Sequence, residues 1–398
     1  MTANKKNYFF LILFFYSLYI INIFVVHKSD ISADLLKCFL LTYDGGFIRR
    51  GLFGHSISSI SYYFNLNFVN VIFTSYLLIY SAFFYYFYKL TKNYNKNVLF
   101  YFFIFSPLNF LYPLVQLSIP LPVLILTREI FVITFFLFFY YLSLISINRN
   151  LIYFVGLGGL ILLSFFYELT LFCYPFFLLI YYLFLKENNY KIKHFEIFIV
   201  ILILILFIFI HLYFYGKNDL DAVFQNVYLK HGVVISLNDQ NCTFSWMNQN
   251  ILEQMPFFRE GFKISSIFRY IVYSHPIIIL FVFFWNNSED LRIKLLFLFA
   301  ISSTAILFIA TDWARIVHLI YLFSLFSFLR VFLSKQNIFE NMFTGSFLTI
   351  LNKNILYIFV LLYCSLWTLK QTYWQNHLSY AGVKIIKNTI LNLSEIFK

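Results

Sequence analysis

Charge is scarce in this chain: Asp, Glu, Lys and Arg make up 12% of its 398 residues, and the carboxylates number only 17. Water-soluble domains carry about 25% charged residues, so a soluble fold is excluded. Cysteine is sparse too. Cys38, Cys173, Cys242 and Cys364 show no metal-ligand spacing, and Cys173 and Cys364 lie inside apolar runs, so no chemistry is assigned to them. The histidines form no zinc pattern either, and no metal site is expected. There is no Walker sequence, no glycine-rich nucleotide loop after a strand and no cytoplasmic segment long enough to bind a sugar nucleotide. Any phosphate chemistry must therefore use a substrate already in the membrane or outside it. Internal repeats and linkers are absent as well, and residues 1–398 read as one multi-spanning domain.

What is abundant is hydrocarbon. Hydrophobic residues reach 61% and aromatics 24%, with a mean hydropathy of +0.79. Apolar runs long enough for a helical crossing, which takes about 20 residues, recur along the whole length. Barrels show short alternating segments instead, so the expectation is an all-α polytopic integral membrane protein. The net charge of +12 fits basic cytoplasmic loops rather than a nucleic-acid surface.

Basic flanks order the runs. Lys5 and Lys6 precede the first, 8–26, which is too long for a signal peptide and lacks a small-residue cleavage site; it is expected to remain as a helix with a cytoplasmic N-terminus. The stretch 55–65 reads as weakly amphipathic and interfacial. Runs 68–90 and 98–115 cross inward and outward, Pro120 and Pro122 break the chain, and 130–147 returns to Arg149. Between Arg149 and Lys186 lies one apolar stretch, 151–185, with basic flanks at both ends. Same-side flanks demand an even number of crossings, so this is a hairpin of two short arms turning near Tyr167-Glu168-Leu169-Thr170. Residues 197–215 lead into the largest polar segment, 216–268, an external loop too small for an independent domain. The runs 270–285, 295–310, 316–333 and 354–369 complete about eleven crossings and leave the tail from Lys370 outside.

This order puts Asp44, Arg49, Arg50, Arg128, Glu129, Glu168, Asp312 and Arg315 at one external end of the helices. A charge within the bilayer costs about 3 kcal/mol by insertion scales, and such groups usually face a bundle interior or a watery cavity. The island 43–54 holds one carboxylate, two adjacent arginines and four glycines. It could be a plain turn whose arginines meet lipid headgroups. Equally, Arg49 and Arg50 among glycines suit the grip of backbone N–H groups and guanidiniums on a phosphate or pyrophosphate, with Asp44 placed to take a proton. Glu129 opens a helix, where the dipole favours it without any function; Arg128 beside it has no such explanation. Glu168, in a hairpin tip, has the partly desolvated setting of a general base. Asp312 and Arg315 are spaced for a plain ion pair. The candidate catalytic residues are thus Asp44, Glu168 and Asp312, and the candidate pyrophosphate ligands Arg49, Arg50, Arg128 and Arg315.

The layout, together with Asp44-Gly45-Gly46-Phe47-Ile48-Arg49-Arg50-Gly51-Leu52, the Tyr167-Glu168 tip and Asp312-Trp313-Ala314-Arg315, resembles the O-antigen polymerases of the Wzy type. More loosely it is similar to multi-spanning glycosyltransferases of the GT-C fold group. The resemblance implies a polymerase at the periplasmic face of the bacterial inner membrane. It would pass a growing glycan from undecaprenyl pyrophosphate onto another carrier-linked repeat unit, without metal, nucleotide sugar or other cofactor. Lipid-linked glycans, membrane lipids and a chain-length regulator protein are the implied partners. Asp44 is placed like the first-loop acid of GT-C enzymes but lacks a second acid, which leaves the base open between Asp44, Glu168 and Asp312. A transferase using a polyprenyl-phosphate sugar, and a flippase of lipid-linked sugars, are the competing expectations.

Overall fold

The computed structural model describes residues 3–28, 36, 39–40, 42–45, 51–93, 98–109, 126–167, 169–213, 219–235, 271–272, 274–303, 313–332, 358 and 362–363. Among them the regular structure is helical, with no strand. The helices are α1 (Ala3–Lys28), α2 (Gly51–Tyr63), α3 (Phe68–Thr91), α4 (Val98–Ile104), α5 (Glu129–Ile145), α6 (Arg149–Phe166), α7 (Thr170–Glu187), α8 (His194–Tyr213), α9 (Leu220–His231), α10 (His275–Asn287), α11 (Leu291–Ser302) and α12 (Trp313–Phe332), with a short 3-10 turn at Tyr43–Gly45.

Four of these are at least 18 residues long and apolar enough to cross a bilayer: α1 over Asn7–Val25, α3, α6 and α7. Shorter apolar helices cover Glu129–Ile145, His194–Ile210 and His275–Asn286. The chain is therefore a helical membrane protein in its composition and its elements. The long stretch 151–185 is indeed split into two antiparallel arms, α6 and α7. Each arm has 18 residues, which at 1.5 Å per residue is about 27 Å, close to the bilayer's hydrocarbon thickness.

Side chains fix where the helices begin. Asn67, Asn148, Asp219 and Asp290 each accept a hydrogen bond from a backbone N–H in the first turn of α3, α6, α9 and α11. Gly232, at φ 67°, closes α9 in the left-handed conformation that glycine tolerates best. The helix that opens the apolar run at residue 98 ends at Ile104, and residues 110–115 of that run lie outside the described residues. Ser106 and Pro107 follow the helix, and proline disfavours the α conformation of the residue before it. The amide of Asn109 then folds back to donate to the Ile104 carbonyl at 2.7 Å.

The packing alternates direction. Tyr8 bonds Thr91 at 2.7 Å and His27 bonds Asn70 at 2.9 Å, so α1 and α3 are antiparallel. α5 and α12 run parallel: Phe136 meets Phe323 with centroids 4.3 Å apart, and Arg330 donates to the Ser143 carbonyl at 3.3 Å. From Ile316 to Arg330 every residue of α12 is buried. A helix covered on all sides belongs at the centre of its bundle, and α5, α7 and α10 pack on this one.

Two ionic ends result. Arg149 pairs with Glu196, Lys186 with Asp290 and Arg330 with Glu187 at one end. At the other stand Glu129, Arg315, Asp44 and Lys230.

Candidate functional site

The N-termini of α5 and α12 and the C-terminus of α6 meet at that second end. Glu129, in the first turn of α5, is 3% exposed. Its Oε1 accepts a hydrogen bond from the Tyr167 hydroxyl at 2.6 Å and forms an ion pair with Arg315. Arg128 precedes it, buried, with its guanidinium 5.2 Å from the centre of the Phe39 ring and 6.0 Å from that of Phe53. Tyr76 donates to the Leu126 carbonyl at 2.7 Å, and its hydroxyl feels the charges of Arg128, Glu129 and Arg315 together. One carboxylate and two guanidiniums thus lie near one another among phenols and phenyl rings, largely buried.

Directly beneath lies a small cavity lined by Asn109, Thr127, His318, Tyr19 and Tyr80 among others, of about 20 Å³, room for one water. His318 donates from Nδ1 to the Leu108 carbonyl at 2.6 Å, since a carbonyl can only accept. In the neutral ring Nε2 is then the accepting nitrogen. The buried Oδ1 of Asn109 has no hydrogen-bond partner among the described residues.

Asp44 belongs to a neighbouring cluster. Its Oδ2 accepts from Thr42 at 2.7 Å and from Lys230 Nζ, on the last turn of α9, at 3.2 Å. Burial pushes this carboxyl up, but Thr42, Lys230 and His55 outweigh it and hold the group below the usual carboxylate range. One residue on, His231 Nε2 meets Ser58 Oγ of α2 at 2.8 Å. Burial, with Lys230 adding to it, lowers the His231 imidazole, which is neutral near pH 7. α2 links the two clusters. Its Phe53 ring lies 5.2 Å from Phe131 and 5.7 Å from Phe166 while facing Arg128, so the helix is tucked onto the bundle rather than only lying at an interface.

Of the residues expected from sequence, Arg128 and Arg315 are brought together around Glu129, and Asp44 lies in the adjoining cluster. Arg49, Arg50, Glu168 and Asp312 lie outside the described residues. Arg315 pairs with Glu129 on another helix, while Asp312, its expected partner by spacing, lies outside the described residues. Tyr167, Lys230, His231, Ser58 and His318 join the site through contacts between helices, and in the sequence only the Tyr167-Glu168 tip and the polar content of 216–268 point toward them.

Fold and site together define a helical membrane protein that carries a buried cluster of opposite charges at one end of its bundle. No family model matches the chain, and neither a curated protein nor a solved structure matches it.

Proposed function

We propose that the chain is a membrane glycosyltransferase that polymerises oligosaccharide repeat units carried on undecaprenyl pyrophosphate, at the periplasmic face of the inner membrane. The observation that carries the reading is the convergence of Arg128, Arg315, Glu129 and Tyr167 in a bundle otherwise filled with hydrocarbon. Arg128 and Arg315 hold the donor's pyrophosphate, because guanidiniums match its oxygens in pairs. As Arg315 turns to the phosphate, Glu129 is released to accept the proton of the acceptor hydroxyl. The new glycosidic bond forms as the bond from sugar to carrier breaks, and the electron pair leaves on the pyrophosphate. Tyr167 keeps the carboxylate aimed. Asp44, Glu168 and Asp312 are the competing bases.

The test is a gel of surface polysaccharide from cells carrying Glu129→Gln, Arg128→Ala or Arg315→Lys, with the amount of protein in the membrane measured alongside. Glu129→Gln is expected to cut chain extension by about 100-fold, the lower range for a lost general base. The long-chain ladder disappears while single-repeat material remains. Normal ladders in all three variants overturn the assignment. Loss of every glycan, single repeat included, favours a polyprenyl-phosphate-dependent transferase or a flippase.

A further inference from the structure

The turn between α2 and α3 and the end of α9 form a ledge that neither the proposed reaction nor the charge clusters explain. Tyr62, Tyr63, Phe64 and Leu66 stand out on the turn, and Leu229 and Val234 on the neighbouring arm, all exposed; Tyr63 reaches 80% and Leu229 79%. The two sets adjoin, because His231 bonds Ser58 of α2 and its ring lies 6.0 Å from that of Phe68 at the start of α3.

We infer that this ledge lies in the boundary between lipid headgroups and acyl chains, and that lipid contact there holds the end of α9 on Asp44 and Ser58. Three observations commit it to lipid. The turn ends where α3, a helix long and apolar enough to span, begins at Phe68, so its depth is that of the bilayer surface. Its exposed side chains include two tyrosines, whose apolar ring and polar tip suit that boundary. α9 buries Leu220, Val223, Phe224 and Val227 on the protein side, and its outer face changes from Asp221 and Gln225 to the exposed Tyr228 and Leu229 as it nears the turn, so the apolar part of that face lies beside Tyr62 and Tyr63. The arm within 216–268 is therefore not wholly aqueous. The lipid leaflet instead presses Lys230 and His231 against their partners.

The experiment uses the full chain in nanodiscs of phosphatidylethanolamine and phosphatidylglycerol containing a lipid with a diazirine near the top of its acyl chain. After photolysis, adducts are mapped by mass spectrometry. Adducts are expected at 62–66 and 228–234, as well as on the exposed start of α8 at Phe195 and Phe198, which is the positive control. Tyr63→Asp and Leu229→Asp are expected to lose the ledge adducts and keep those on α8. Adducts on α8 with none on the ledge of the unaltered chain overturn the inference. So do cross-links there to a second copy of the chain in place of lipid. The readout does not involve glycan transfer, so it stands or falls apart from the proposed reaction.

Discussion

Glu129 and Arg315 are held to each other where water is scarce, so each depends on the other's charge. Removing one partner of a buried pair typically costs about 3–5 kcal/mol, whereas replacing both can be nearly neutral. Thermal unfolding of detergent-purified Glu129→Gln and Arg315→Gln should show both singly destabilised. The double variant should be more stable than the sum of the two losses predicts, and strict additivity would mean that the pair is not coupled. Asp44 and His231 make a different forecast because they titrate outside the spans. Both have lowered folded pKa values, so each contributes stability above its unfolded value, lost as pH falls through the folded one. As pH falls below about 6.5, the attachment of α9 should first weaken through His231, then again below about 3.9 through Asp44. Hydrogen exchange at the end of α9 followed against pH should show both steps. Lys230→Met should shrink the lower step, which Thr42 also supports, and trim the upper one less, because burial is the larger cause there.

Among the helices, α5 and α6 show how small residues set contact. A Cβ on Gly159 would come within 1.8 Å of the Phe135 ring and one on Gly156 within 2.8 Å of Phe139, while one on Gly158 would meet nothing within 4 Å. Gly159→Ala should therefore cost about 1–3 kcal/mol by overpacking. Gly158→Ala should stabilise by about 0.5–1 kcal/mol through better helix propensity. Melting temperatures of the two variants decide it, and equal shifts would sink the packing argument. Hydropathy made α1, α3 and the α6–α7 hairpin legible, because long apolar runs between basic flanks admit few arrangements. It did not reveal the turn that Ser106 and Pro107 impose after α4, since an apolar composition hides such a break. The site was half legible. Arg128 and Arg315 stand out as charges in hydrocarbon, but Glu129 already had a sufficient local reason in the helix dipole. Its bonds to Tyr167 and Arg315 come from other helices, and no spacing along the chain encodes them.

At the scale of the molecule, the two ionic ends are unlike, and the difference argues for an orientation. The end with Lys186, Arg149 and Arg330 also gathers Lys89, Lys92, Lys191, Lys193, Arg292 and Lys294 from the helix ends and connections beside it. Basic residues flanking spans stay in the cytoplasm. On this ground we propose that the opposite end, with Glu129, Arg315 and α9, is the outward one, where a carrier-linked glycan would be met. Cysteines placed at exposed positions read this directly. Asp221→Cys on α9 should react with a membrane-impermeant maleimide in intact spheroplasts, whereas Asn93→Cys just beyond α3 should react only after lysis. The unaltered chain, with its four native cysteines, supplies the background. The reverse pattern would put Glu129 and Arg315 in the cytoplasm, and a periplasmic polymerase could not then be built on them.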